Sequence, residues 1–85
     1  MSAIPVRVMV QDAWDQVTLE LPPAAPVREA KQQALTLTHT AGRPDDFLVK
    51  FRGAEVLDES RSLSDAGVVA NAALIVLPRR RRPVR

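Results

Sequence analysis

The sequence predicts an α+β fold of about four strands and one helix, on two features of its hydrophobic pattern. Val6, Val8 and Val10 alternate with Arg7 and Met9, and Val17, Leu19 and Leu21 alternate with Thr18 and Glu20. That period of two belongs to strands buried on one face. From Pro26 to about Thr38 the spacing lengthens to three or four, at Val27, Ala30, Ala34 and Leu37, which is the spacing of a helix. Two more strand-like runs follow, 47–51 and 74–77.

Taken in order, the first two strands are joined through Gln11 to Gln16, a stretch with Asp12 and Asp15 but no glycine. A longer loop built on a type I turn suits it better than a two-residue primed turn. Pro26 suits the first helical turn, where its missing N–H costs nothing, and Gly42 suits a stop just past the end. Arg28, Lys31, Gln32 and Gln33 fall mostly on the side away from the apolar stripe, whose small residues imply close packing on a sheet. Thr38, His39, Thr40 and Ala41 read as a last ragged turn or a loop, since β-branched threonines fray helices. In the third strand Phe47, Val49 and Phe51 face in, and Leu48 and Lys50 face out. In the last, Leu74 and Val76 face in, and Ile75 and Leu77 face out. Pro78 and the arginines after it oppose further pairing.

A chain of 85 residues, 46% hydrophobic, holds one small domain. There is no cysteine, so disulfides and thiolate chemistry are excluded and nothing argues for an oxidising compartment. No signal peptide or membrane span is visible, and a soluble cytoplasmic monomer is expected. The net charge of +2 conceals an asymmetry. Five of the twelve basic residues, Arg79, Arg80, Arg81, Arg82 and Arg85, lie after Pro78, so the body carries −3 and the tail +5. The domain is placed at 1–78 and a flexible arginine-rich tail at 79–85.

The inventory for catalysis is poor: no Cys, no Tyr and a single His39 without an obvious partner. No catalytic residue is assigned. Asp45-Asp46 and Asp58-Glu59 read as turn carboxylates that bond local N–H groups, and a metal would need further oxygen ligands. Gly42, Gly53 and Gly67 are isolated at predicted turns, which excludes a phosphate loop. Ser62 and Ser64 before Asp65 read as caps of a short 3-10 turn. Neither cofactor nor metal is expected.

The stretch Phe51-Arg52-Gly53, Leu57, Asp58-Glu59, Arg61-Ser62-Leu63-Ser64-Asp65 resembles the ubiquitin segment Phe-Ala-Gly, Leu, Glu-Asp, Arg-Thr-Leu-Ser-Asp. Val17-Thr18-Leu19-Glu20-Leu21 is similar to the second strand of that family, Pro26 to Lys31 to its helix start, Gly42-Arg43-Pro44 to its Gly-x-Pro exit, and Leu74 to Leu77 to its last strand. The likeness runs from about Val6 to Leu77 and implies a ubiquitin-like β-grasp fold, a mixed sheet of four to five strands with the first and last parallel and the helix across one face. It further implies that Leu57, Leu63 and Val68 drop into the core, and that Lys31, one residue after the core-facing Ala30, lies against the sheet with its ammonium satisfied.

In ubiquitin the outward residues of the third and last strands form an apolar patch that receptors grip. The matching positions are Lys50 at its centre with Ile75 and Leu77, rimmed by Leu48. Trp14, in the first hairpin loop beside that patch, either anchors a partner or folds back to staple its loop. No glycine follows Gly67, whereas conjugated relatives end in Gly-Gly; bacterial relatives associated with type VII secretion also lack it. The expected function is a non-catalytic interaction module, prokaryotic given the Ala-, Val- and Arg-rich, Lys-poor composition, that binds another protein through Trp14, Leu48, Lys50, Ile75 and Leu77. An accessory role in a secretion or regulatory system is one form of it. The rivals are a protein modifier of an unusual bacterial conjugation pathway, and a nucleic-acid or anionic-membrane binder whose arginine tail contacts anions weakly and without sequence preference.

Overall fold

Both alternating segments become neighbouring strands. In the computed structural model, which describes residues 3–40 and 42–79, β1 (Ile4–Val10) pairs antiparallel with β2 (Asp15–Leu21), with Val8 opposite Val17 and Val6 opposite Leu19. Val6, Val8 and Val10 are fully buried, and Leu19 and Leu21 nearly so. The connection is a 3-10 turn at Gln11–Ala13 followed by Trp14 in the left-handed conformation (φ 53°), a longer loop of the kind the missing glycine implies.

The remaining strands are β3 (Phe47–Phe51), the two-residue β4 (Ala54–Glu55) and β5 (Ala73–Pro78). The sheet order is β2-β1-β5-β3-β4, with β5 parallel to β1 and antiparallel to β3. Phe47, Val49, Leu74 and Val76 are buried as alternation requires, while Phe51 is half-buried against the core edge. Arg52 and Gly53, both with positive φ, make the primed turn that joins β3 to β4.

One helix, α1 (Val27–Leu37), crosses the inner face, and the absence of side chain beyond Cβ at the fully buried Ala30 and Ala34 lets it approach the strands closely. A mixed five-stranded sheet gripping one helix is the ubiquitin-like β-grasp architecture. Pro26 precedes the helix as its cap, in an extended conformation, rather than lying within the first turn. Having no capping side chain, the helix start is closed by a distant backbone. Val27 N–H donates to the Arg61 carbonyl and Arg28 N–H to the Glu59 carbonyl, each at 2.9 Å.

Three expectations about the core and its borders are corrected. Leu37 is 55% exposed, because the buried line runs through Val27, Lys31 and Ala34 with Ala30 and Leu35 beside it; Leu35 takes the core place. Leu57 is 84% exposed, since β4 turns Glu55 out and Val56 in, and Val56 both packs against the core and donates its N–H to the Val49 carbonyl at 2.8 Å. Leu63 and Val68 are buried as expected. Ser62 Oγ accepts from Asp65 N–H at 3.1 Å and so caps the turn after it, but that turn is irregular rather than 3-10.

The helix end is ordered, not ragged. His39, in the left-handed conformation (φ 55°), donates its N–H to the Thr36 carbonyl, and Thr40 N–H reaches the Leu35 carbonyl at 3.0 Å, the pair of bonds that defines a Schellman stop. Thr38 turns its hydroxyl back onto the Ala34 carbonyl at 2.9 Å. His39, not Gly42, is therefore the stop residue; Ala41 lies outside the described residues. Gly42 serves another purpose: at φ 116° it lets the chain cross the Phe47 ring, whose Cε1 would lie 3.1 Å from an added Cβ. His39→Gly relieves the left-handed strain and is expected to raise stability by about 1 kcal/mol, read from the urea midpoint at unchanged slope. An unchanged or lowered midpoint would mean that the imidazole makes up for the backbone.

Candidate functional site

The helix covers one face of the sheet and leaves the other to solvent, so the residues that alternation sends outward form one surface. Register arranges them in rows. Met9 lies opposite Ile75, Ile75 opposite Lys50, and Lys50 opposite Glu55, while Leu77 lies opposite Leu48. Ile75 is 42% and Met9 38% exposed, and Leu48, Lys50 and Leu77 are half-buried.

Leu48, Lys50, Ile75 and Leu77, singled out in the sequence, are thus adjacent cross-strand pairs. Trp14 is 81% exposed, held in its left-handed turn by an N–H bond to the Gln11 carbonyl at 3.1 Å, and does not fold back as a staple. The Gln11–Ala13 turn packs beside β5, which puts the loop at the Leu77 end of the face. Met9 was missed by sequence reasoning, although its outward place in the β1 alternation was a sufficient signal.

Lys50 is a cation among these apolar neighbours. Glu55, directly across from it, leans instead to Arg79, at 3.6 Å from Nη1 to Oε2, and among the described residues Lys50 has no ion-pair partner. Arg79 is further tied to the body by its backbone N–H to the Asp46 carbonyl at 2.8 Å and by Nε to the Asp45 carbonyl at 2.9 Å. The other tail arginines, Arg80, Arg81, Arg82 and Arg85, lie outside the described residues.

The second polar centre is internal. Lys31 is only 2% exposed; its Nζ donates to the Phe47 carbonyl at 3.0 Å and meets Glu59 Oε1 at 2.6 Å. The lysine is therefore against the sheet with its charge satisfied, as the resemblance implied, and not on the outer side of the helix. Asp58, beside this pair, accepts from the backbone and hydroxyl of Ser60, and those bonds hold its carboxyl below the ordinary value of 3.8. A lowered value makes its contribution full above the ordinary carboxylate pKa and lost as pH falls through the lowered one. Asp58→Asn is accordingly expected to flatten the acid limb of stability below about pH 4, and a limb of unchanged slope would remove Asp58 from that account.

His39 is exposed, and among the described residues no group of three His, Asp or Glu side chains converges as a metal site. No helix among them is long and apolar enough to cross a membrane.

No protein-family model and no curated protein matches the sequence. Solved structures do match. The chain is similar to the ubiquitin-like domain of an Arabidopsis thaliana protein, at 19% identity over 100% of this chain and 86% of that one, with a TM-score of 0.78. It is likewise similar to a designed protein based on ubiquitin, at 14% identity, covering 99% and 98% with a TM-score of 0.79. A third likeness is to the ubiquitin of Caldiarchaeum subterraneum, at 16% identity, covering 95% and 99% with a TM-score of 0.77. At these identities the likeness shows the fold.

Proposed function

We propose that this ubiquitin-like β-grasp domain is a non-catalytic protein-interaction module that docks a partner on the outer sheet face, through Met9, Trp14, Leu48, Lys50, Ile75 and Leu77. What supports the reading is the exposure of Trp14, Ile75 and Met9 around Lys50, which has no ion-pair partner among the described residues. Tryptophan is enriched among the few residues that carry interface energy, and a contiguous apolar patch rimmed by polar groups is a common docking surface. The partner presents an apolar surface to Met9, Ile75 and Leu77 and an acidic or acceptor group to Lys50.

The test is cross-linking in the native cell from a photoreactive residue placed at Gln16, beside the face, followed by identification of the captured protein. Trp14→Ala is expected to weaken binding to that protein by about 2 kcal/mol, roughly thirtyfold, at an unchanged thermal midpoint. Leu77→Ala weakens it as well and, being half-buried, lowers stability by about 1 kcal/mol. If both variants bind as the unaltered chain does and only the midpoint falls, the face belongs to the scaffold. Covalent adducts of the chain in the same cells would favour a protein modifier instead.

A further inference from the structure

We infer that Lys50 is the one lysine of this chain open to acyl transfer, so that an activated carboxyl group, an acyl thioester or an acyl phosphate, modifies the native protein there and sets the charge of the outer face. The sequence contains two lysines, Lys31 and Lys50. Their amines sit in opposite surroundings.

Lys31 Nζ is enclosed between helix and sheet, 2.6 Å from the Glu59 carboxylate and 3.0 Å from the Phe47 carbonyl, in a residue 2% exposed. To act as a nucleophile it would have to lose its proton, abandon the Glu59 carboxylate and admit an acyl donor into packed core. Lys50, half-buried, stands on the face of β3 away from the helix, in the row of the exposed Ile75 and Met9. The acid facing it across the β3–β4 pair is drawn toward Arg79, which is itself anchored to the Asp45 and Asp46 carbonyls. Its amine is left without a salt bridge among the described residues.

In the reaction the unprotonated Nζ attacks the acyl carbon, a C–N bond forms, and the C–S or C–O bond to the leaving group breaks. The thiolate or phosphate departs with the electron pair of the broken bond, and the nitrogen's surplus proton passes to it, directly or through water. Nothing is oxidised or reduced. The product amide is neutral, so the row Met9–Ile75–Lys50 loses its only cation and becomes apolar from β1 to β3. The assignment rests on burial and pairing alone and holds whether or not the face docks a partner.

The experiment treats the native chain with acetyl phosphate and, in parallel, acetyl-coenzyme A, and follows each amine by peptide mapping, with the N-terminal α-amine scored separately. A sample in guanidinium chloride supplies the reactivity of each lysine without structure. In the native chain Lys50 is expected to be acetylated at least about a hundredfold faster than Lys31, which reacts only through opening of the fold, whereas the denatured chain shows comparable rates at both. Lys50→Arg, which keeps the charge and the strand, is expected to leave no lysine acetylated in the native state. Native acetylation of Lys31 at a rate near that of Lys50 would overturn the inference, as would a Lys50 that stays unmodified under conditions where the denatured chain reacts.

Discussion

Lys31→Ala is expected to destabilise the domain by about 3 kcal/mol, lowering the thermal midpoint by roughly 12 °C or more for a chain of this size. The substitution removes the ammonium that meets Glu59 at 2.6 Å and Phe47 at 3.0 Å, and it leaves a carboxylate in a site only 14% exposed. An uncompensated buried charge costs more than the intact pair contributes, and the buried lysine stem adds lost packing. Lys31→Met isolates the two parts: it restores most of the packing but still strands Glu59. Adding Glu59→Gln to Lys31→Met should then recover most of the loss, because no buried charge remains. If Lys31→Ala shifts the midpoint by only a degree or two, the amine is solvated in solution and the register of α1 against β3 is different.

The second large effect is a contrast between two leucines of one loop. Leu63→Ala is expected to cost about 3 kcal/mol, within the usual 2–5 for a fully enclosed leucine, whereas Leu57→Ala should change stability by no more than about 0.5 kcal/mol. Leu63 has no exposed surface, and its N–H is fixed to the Ala25 carbonyl at 2.8 Å, so the loop cannot collapse into the hole. Leu57 is 84% exposed. Urea denaturation of the two variants gives both values at once, and similar losses in each would place Leu57 back in the core.

That contrast also shows where the sequence was legible. Strand faces came through without error at Val6, Val8, Val10, Val49, Leu74 and Val76, because a period of two leaves a single choice of face once one residue is buried. The helix was legible in place but not in phase. Periodicity carries the stripe on to the apolar Leu37, while the residue that completes the buried line is Lys31, which its polarity puts on the outer side and which only the resemblance to ubiquitin places against the sheet. Leu57 misled because the resemblance assigns it to the core, whereas the pairing of β4 with β3 brings its neighbour Val56 against the core instead. His39 as the helix stop carried no sequence signal, since glycine is the usual occupant.

The outer face was legible as far as alternation reaches, which covers Leu48, Lys50, Ile75 and Leu77. Met9 is readable by the same rule, but only the parallel pairing of β1 with β5 sets it beside Ile75. The relation of Glu55 to Arg79 was not readable at all. It depends on the antiparallel register of β5 with β3, which sets Pro78 opposite Phe47 and so carries Arg79 on to Asp45 and Asp46, a meeting of residues more than thirty positions apart.

The parallel pairing of β1 with β5 has a consequence for how the chain is made. β1 is translated before the other strands of the sheet and can pair with β2 as soon as that follows, but its other edge waits for a strand that is translated some sixty residues later. Until then the β1–β2 hairpin has both edges open, β1 as well as the permanent edge strand β2, and its valines have no sheet-wide core to enter. The helix is in a similar position, since its capping carbonyls at Glu59 and Arg61 are also translated after it. Folding of this domain therefore waits for β5, governed by closure of long loops rather than by stepwise growth. The same ordering makes the nascent hairpin, with Val6, Val8 and Val10 uncovered, the segment most in need of protection during synthesis.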